Sequence, residues 1–278
     1  MRKLARFEGL RYIIEATTPS SVSVPHGEET SMFEGLDIAT AVQAIRQTGY
    51  YDQLQLPPAI VKELLQFCQS SICYGDRRPD VPFYLSQRSK VEERLNKALM
   101  IGSYLNTHEE CPAFQAIKTD PGLLALARAY LGCEPVYLAG ELFWSFPRES
   151  SEIEKLKAAQ VFHYDIDDYR SLKLFFYLTD VDESAGPHVC IKGSHVRKRL
   201  YHQILGQRVA SIDDATLVNH YGAENVAVLC GQAGFGFAED PYCLHKGTLP
   251  TEKPRLLLQL QFNQRYYPDI RVHQGAPT

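Results

Sequence analysis

The sequence contains no Cys-x-x-Cys pair, no apolar run long enough to cross a membrane, no repeat of fixed period and no low-complexity tract. Each absence removes a class of protein. Its seven cysteines (68, 73, 111, 133, 190, 230 and 243) form an odd set, as expected of reduced thiols in a cytoplasmic protein rather than of a disulfide framework or a zinc knuckle. All seven read as small core residues. The N-terminal MRKLARFEGLRY lacks the apolar stretch of a signal peptide, and the most apolar window, GLLALARAYLG, is short and carries Arg128, so no membrane partner is expected. Charge of one sign is also missing: 29 Lys and Arg stand against 33 Asp and Glu, a net charge of −4, which supplies no basic field for nucleic acid. Solenoids and propellers need an internal period and are excluded. A small molecule is the expected partner.

What is present describes a globular chain of 278 residues, 45% apolar and 22% charged, with 16 Tyr and 13 Phe that lean toward β structure. The chain reads as one domain, 1–278, in four stretches. Residues 1–35 mix polar and turn residues and read as an irregular arm. From 36 to 134 the apolar spacing is mainly helical, as in Ile38, Val42 and Ile45, in Ile60, Leu64, Leu65 and Cys68, in Val91, Leu95, Leu99 and Leu105, and in Leu123 to Leu131 after Asp120-Pro121. From 135 to 265 the period shortens to strand-like runs: PVYLAGELFWSF, QVFHYDI, LKLFFYLTDV, HVCIKG, NVAVLC, FGFAEDPYCLHKG and RLLLQLQFN. Helical insertions are expected at 151–159 and within 196–222, and 266–278 is a tail. Strands at this spacing without crossover helices pair antiparallel. The fold class is therefore α+β: a jelly-roll (double-stranded β-helix) core under a mainly α-helical N-terminal layer.

Three His-x-acid pairs occur, at His26/Glu28, His108/Glu110 and His163/Asp165. Only the third closes an aromatic strand, where a spacing of two puts imidazole and carboxylate on one face to converge on one cation; the other two read as solvated loop pairs. A metal site needs a third ligand from elsewhere in the fold. His245 ends the strand of DPYCLHKG, and ten residues later Arg255 opens RLLLQLQF, which is expected to return beside it as a hairpin. Such a hairpin holds imidazole and guanidinium on one inner face, one for a metal and the other for the far carboxylate of a metal-bound anion. His188, with Arg197, Lys198 or Arg199 at similar separation, is the competitor, and a lone core histidine is the plain alternative for His245. Two His and one carboxylate leave open positions and suit non-haem Fe(II) chemistry with dioxygen. A structural zinc would close its fourth position.

The segment 160–195, QVFHYDIDDYRSLKLFFYLTDVDESAGPHVCIKGSH, together with 240–262, DPYCLHKGTLPTEKPRLLLQLQF, resembles the phytanoyl-CoA dioxygenase-like branch of the Fe(II)/2-oxoglutarate-dependent oxygenases. The resemblance spans about 135–265 and covers none of the first 130 residues. It implies that His163, Asp165 and His245 bind iron, that Arg255 pairs with the distal carboxylate of 2-oxoglutarate, and that Gly193-Ser194-His195 is a structural turn. It also implies that 2-oxoglutarate and molecular oxygen are consumed, giving succinate, carbon dioxide and an iron-centred oxidant that hydroxylates or otherwise oxidises a small metabolite or carrier-linked substrate. The chain departs from the family pattern at Phe162 in place of Trp, Lys192 in place of Pro and His188 in place of an apolar residue, and these bear on subfamily and substrate. Because relatives that halogenate replace the carboxylate by a small residue, Asp165 implies a hydroxylating type.

Gln259, on the inner face with Arg255, and Gln160, on the His163 strand, are candidates for hydrogen bonds in the cofactor cavity or are equally partly exposed strand amides, while Tyr164 should point away and pack. The basic stretch KGSHVRKRLYH (192–202) is a solvated turn or a contact for an anionic or carrier-linked substrate, and the arm at 10–35 is a loop or a lid. Two other classes stay open: a cupin-type metal enzyme that makes no use of 2-oxoglutarate or Arg255, and a non-catalytic jelly roll that binds a small ligand. The sequence names no substrate.

Overall fold

The computed structural model describes residues 2–17, 30–105, 110–149 and 159–266. Two of the helices start on aspartate caps that the sequence supplies. Asp37 accepts hydrogen bonds from the Ala39 and Thr40 amides to start Ile38–Thr48, which ends on Gly49 in the left-handed region. Asp120 caps Pro121–Leu131 through the Gly122 and Leu123 amides and also accepts from Ser31 Oγ and the Met32 amide, which ties the preceding loop to this helix. Further helices are Pro58–Ser70, Arg88–Leu95 and Pro112–Lys118.

These helices are not a separate layer of helix alone. Residues 36–134 also contribute β1 (Tyr50–Gln55), β2 (Cys73–Gly75), β3 (Pro82–Phe83) and β4 (Ile101–Tyr104). Leu99 and Leu105, whose spacing continued the helical pattern, flank β4 instead, because Asn96 takes a left-handed conformation and stops the helix. The arm also differs from expectation. Residues Arg2–Arg6 and Glu8–Thr17 are helical, held by good helix formers and by docking contacts: Tyr242 Oη donates to the Arg6 carbonyl and the Lys198 amide donates to Glu8. Residues 18–29, with His26 and Glu28, lie outside the described residues, as do His108, the 151–158 insertion and 267–278.

The later strands are β5 (Val136–Ser145), β6 (Ser171–Tyr177), β7 (His188–Ile191), β8 (Val226–Leu229), β9 (Phe235–Glu239), β10 (His245–Gly247) and β11 (Arg255–Asn263). They make two antiparallel sheets, one of eight strands in the order β1-β9-β6-β11-β5-β4-β2-β3 and one of three in the order β10-β7-β8. The 196–222 insertion contains the helices Leu200–Leu205 and Asp214–Tyr221. Residues 160–166 do not form a regular strand; they meet β10 only through a bridge between His163 and His245.

Alternation along β11 explains the layering. Leu256, Leu258, Leu260 and Phe262 pack with Ile45, Leu64, Phe114 and Leu126 on the helix side. Leu257 faces the other way, into a cluster that includes Phe143, Tyr177 and Phe237 and reaches Cys190, Ala227 and Leu229 of the small sheet. A third cluster, with Tyr164, Tyr242 and Leu217, covers the far face of the small sheet. Each buried Leu or Phe contributes about 1.5–3 kcal/mol. Five cysteines are buried and Cys133 is half-buried, but Cys230 is exposed at the end of β8, contrary to the expectation that all seven fill the core.

Candidate metal centre

His163 and His245 face each other across the bridge. The His163 amide donates to the His245 carbonyl at 3.0 Å, the His245 amide returns the bond at 2.9 Å, and the ring centroids stand 4.4 Å apart. The Asp165 amide is held by the Pro241 carbonyl at 2.8 Å. This keeps 163–165 extended, so both side chains fall on one side while Tyr164 turns to the other and packs edge-on against Tyr242. The ligand atoms of His163, Asp165 and His245 all lie within 4.8 Å of one another.

Both rings are oriented alike. Nδ1 of His163 lies 2.9 Å from the Val161 carbonyl and Nδ1 of His245 lies 2.9 Å from the Cys243 carbonyl. A carbonyl only accepts, so each Nδ1 carries the proton and each Nε2 presents its lone pair to the shared space. Burial pushes His245 down to about 4 and so keeps its ring neutral. Burial alone would raise Asp165, but Lys173, His245 and His163 outweigh it and hold the carboxyl well below the usual range. Two imidazoles and a carboxylate are donors that suit a divalent first-row metal, and pinned Nδ1 atoms are the outer support such ligands need.

Arg255 lines the same cavity of about 290 Å³. It is buried, donates to the Gly186 carbonyl and to Ser145 Oγ, and leaves its Nε without a hydrogen-bond partner. A buried guanidinium with an unused donor fits a carboxylate. It does not arrive by the expected hairpin. His245 is the first residue of β10, which pairs with β7, whereas Arg255 opens β11, which pairs with β5 and β6 in the other sheet. The turn between them crosses from one sheet to the other, fastened by the Thr248 amide on the Pro187 carbonyl and the Thr251 amide on the Ser184 carbonyl, so imidazole and guanidinium meet across the sandwich. Gln160 and Gln259 line this cavity too, and Gln160 Oε1 is buried without a partner.

Several neighbours went unread in the sequence. Lys173 Nζ lies 2.5 Å from Asp165 Oδ2. His188, the rejected competitor, sits inside the cavity with its ring 5.5 Å from that of His245, and its Nε2 lies 3.0 Å from Glu239 Oε2 without hydrogen-bond alignment. Burial pushes Glu239 up to about 7 and, with Arg255, pushes His188 well down, so at neutral pH a neutral imidazole faces a carboxyl that is close to half ionised. Arg77 and Glu141 form an ion pair in the cavity wall. The only sequence signal for these was a charged residue inside an apolar run, as in LKLFFYL and GFAED. The 192–202 stretch is not simply a solvated turn either, since Lys198 is buried against the rings of Tyr164 and Tyr242. Gly193-Ser194-His195 fastens the His245 segment: Ser194 Oγ donates to the Ile191 carbonyl and accepts from the Leu244 amide.

No protein-family model matches the chain, and no curated protein matches it by sequence. Among solved structures, the chain is similar to the non-heme alpha ketoglutarate dependent epimerase SnoN from nogalamycin biosynthesis, with a TM-score of 0.57 and 15% identity over 81% of this chain and 82% of that one. It is also similar to the non-heme alpha ketoglutarate dependent carbocyclase SnoK from the same biosynthesis (TM-score 0.56, 15% identity, 88% and 91% covered). A third is HygX from Streptomyces hygroscopicus, solved with nickel and 2-oxoglutarate bound (TM-score 0.56, 14% identity, 84% and 89% covered). At this identity the likeness is one of fold: mixed helix and antiparallel sheet, shared with these solved proteins. No helix among the described residues is long and apolar enough to cross a membrane.

Proposed function

We propose that this protein is a non-haem iron, 2-oxoglutarate-dependent oxygenase with a jelly-roll catalytic core, which hydroxylates or otherwise oxidises a small organic molecule. The observation that carries the reading is the pairing of two features in one cavity: two outward lone pairs with a carboxylate, and a buried guanidinium with a free donor. His163, Asp165 and His245 would hold the metal, and Arg255 would hold the distal carboxylate of 2-oxoglutarate. We assign the Gln160 and Gln259 amides to hydrogen bonds with the cosubstrate and with the molecule beside it. Iron and 2-oxoglutarate, when bound with dioxygen, supply the oxidising chemistry, in which one oxygen atom enters succinate as carbon dioxide leaves and the other enters the substrate.

The protein's own part is placement and exclusion of water. The Val161 and Cys243 carbonyls fix the tautomer and tilt of both imidazoles, and Lys173 steadies the carboxylate. Phe175, Leu257 and Phe143 wall the same space. A cupin-type enzyme working without the diacid would have no use for a buried, half-satisfied Arg255. The phytanoyl-CoA dioxygenase-like branch is the subfamily that the motif supports, and seven unbridged thiols support a cytoplasmic setting. The deciding experiment is anaerobic addition of Fe(II) and 2-oxoglutarate to the full chain, where a weak visible charge-transfer band is expected. Iron binding with no band on adding 2-oxoglutarate would overturn the cosubstrate, and no iron binding would overturn the reading.

A further inference from the structure

The eight-stranded sheet presents its cavity face as a grid, since its strands pair in register. Ile101, Ser145 and Arg255 share one row. Four residues further along β11, Glu141, Gln259 and Phe175 share another. At about 3.3 Å per residue the two rows are about 13 Å apart. The second row lies away from Arg255 and toward the proposed metal ligands: the ring of Phe175 stands 5.1 Å from that of His188, which stands 5.5 Å from that of His245, so a molecule oxidised at the metal would lie along this row.

Glu141 is held firmly. Arg77 grips it with two parallel bonds, Nε to Oε1 at 2.7 Å and Nη2 to Oε2 at 3.1 Å, and Ser103 Oγ adds a third at 2.8 Å. The backbone that delivers Arg77 is strained: Asp76 and Arg77 are both left-handed non-glycine residues, with φ of 50° and 57°. Asp76 secures that turn by accepting from the Met100 and Ile101 amides and from Lys97. Strain of about 1–3 kcal/mol per residue persists only where surrounding contacts impose it, and it concentrates at working sites. Here it aims a guanidinium into the cavity wall.

Building on the oxygenase reading, we propose that the molecule oxidised is a small, neutral, hydroxyl-bearing compound of the polyol or cyclic polyol class, recognised by Glu141, Arg77 and Gln259. Three observations lead there. The ion pair is internally neutral, so a phosphate, carboxylate or ammonium group would have to break it to gain a charge partner. The Gln259 amide faces the cavity partly exposed, and Gln160 Oε1 is buried and unpaired; an apolar chain would give neither a partner, at a cost of about 1–3 kcal/mol for the buried one. A hydroxyl both donates and accepts, and so can satisfy carboxylate, guanidinium and amide in turn. Size agrees: about 290 Å³ is at the small end of ligand cavities, roughly 300–1,000 Å³, and it must also admit the diacid.

The test is calorimetry on the full chain, alone and with nickel(II) and 2-oxoglutarate, titrated with myo-inositol, methyl α-glucoside, hexanoate and inorganic phosphate. Saturable binding of at least one of the two polyols is expected, tighter than that of hexanoate or phosphate, and Gln259→Leu and Glu141→Leu should each weaken it tenfold or more. Gln259→Leu leaves the ion pair intact and so remains informative if the Glu141 variant does not fold. Hexanoate or phosphate binding as tightly as the polyols, no polyol binding, or polyol binding indifferent to Gln259→Leu would overturn the inference. Polyol binding without the iron and 2-oxoglutarate band would instead sink the oxygenase reading and leave the ligand class standing.

Discussion

The proposed assignment gives Asp165 and Arg255 different work, so their removal should fail differently. Asp165→Ala deletes one of three donors and should abolish measurable iron binding by calorimetry, with intact binding refuting its assignment as a ligand. Arg255→Ala should leave iron binding in place and raise the 2-oxoglutarate requirement about tenfold to a hundredfold, because a charge-assisted hydrogen bond contributes about 1.5–3 kcal/mol. Lys198 gives a test of stability against pH. Burial pushes its ammonium down to about 7, against Cys243, Glu8 and Asp240, which favour the charge, and Arg11, which adds to the opposition. The unfolded side chain titrates near ~10.4, so between about 7 and 10 the unfolded chain holds more protons and stability should rise with pH. Lys198→Met should flatten that slope and be the more stable protein at pH 6, as measured by denaturant unfolding across the range. Lys198 could not be read in advance: it sits in a run of basic residues, and only the folded chain shows it between two tyrosines.

At the scale of elements, legibility followed locality. The two-residue spacing of His163 and Asp165 and the ten-residue interval from His245 to Arg255 are properties of the chain itself, and the structure brings all four to one cavity. What stayed hidden depends on register between distant strands: Lys173 lies opposite Glu239 on β9 and Gln261 on β11, a relation that no local pattern encodes. The hairpin expectation failed for a related reason, since a turn with Pro250 and Pro254 can close a hairpin or cross between sheets, and only the partners Pro187 and Ser184 decide. Ser194 makes the element-scale prediction. It is fully buried, and Ser194→Ala would leave the Leu244 amide unpaired next to a proposed ligand. A loss of about 1–3 kcal/mol is expected, together with weaker metal binding, read by thermal unfolding with and without nickel. Gly49 is as constrained: with φ at 97°, an added Cβ would lie 2.3 Å from Cys243 Sγ, so Gly49→Ala should disturb the same segment.

For the whole molecule, helices and large sheet share one continuous core, so denaturation should show a single cooperative transition, with fluorescence and circular dichroism midpoints that coincide. Phe262→Ala, at a position 1% exposed, should lower stability by about 3–5 kcal/mol without moving any cavity residue. The alternation of strand runs after 135 made the sheets foreseeable, whereas β1 to β4 did not announce themselves because they are short and lie among strong helical periodicities.

Strand β11 is the last among the described residues yet lies in the middle of its sheet, with β1, β9 and β6 on one side and β5, β4, β2 and β3 on the other. During translation, both flanking groups of strands emerge from the ribosome before the piece that joins them, each with an open edge. The nascent protein must wait for this joining strand, which brings Arg255 with it, so a ribosome stalled ahead of residue 255 would hold two half-sheets, and neither would carry the buried guanidinium.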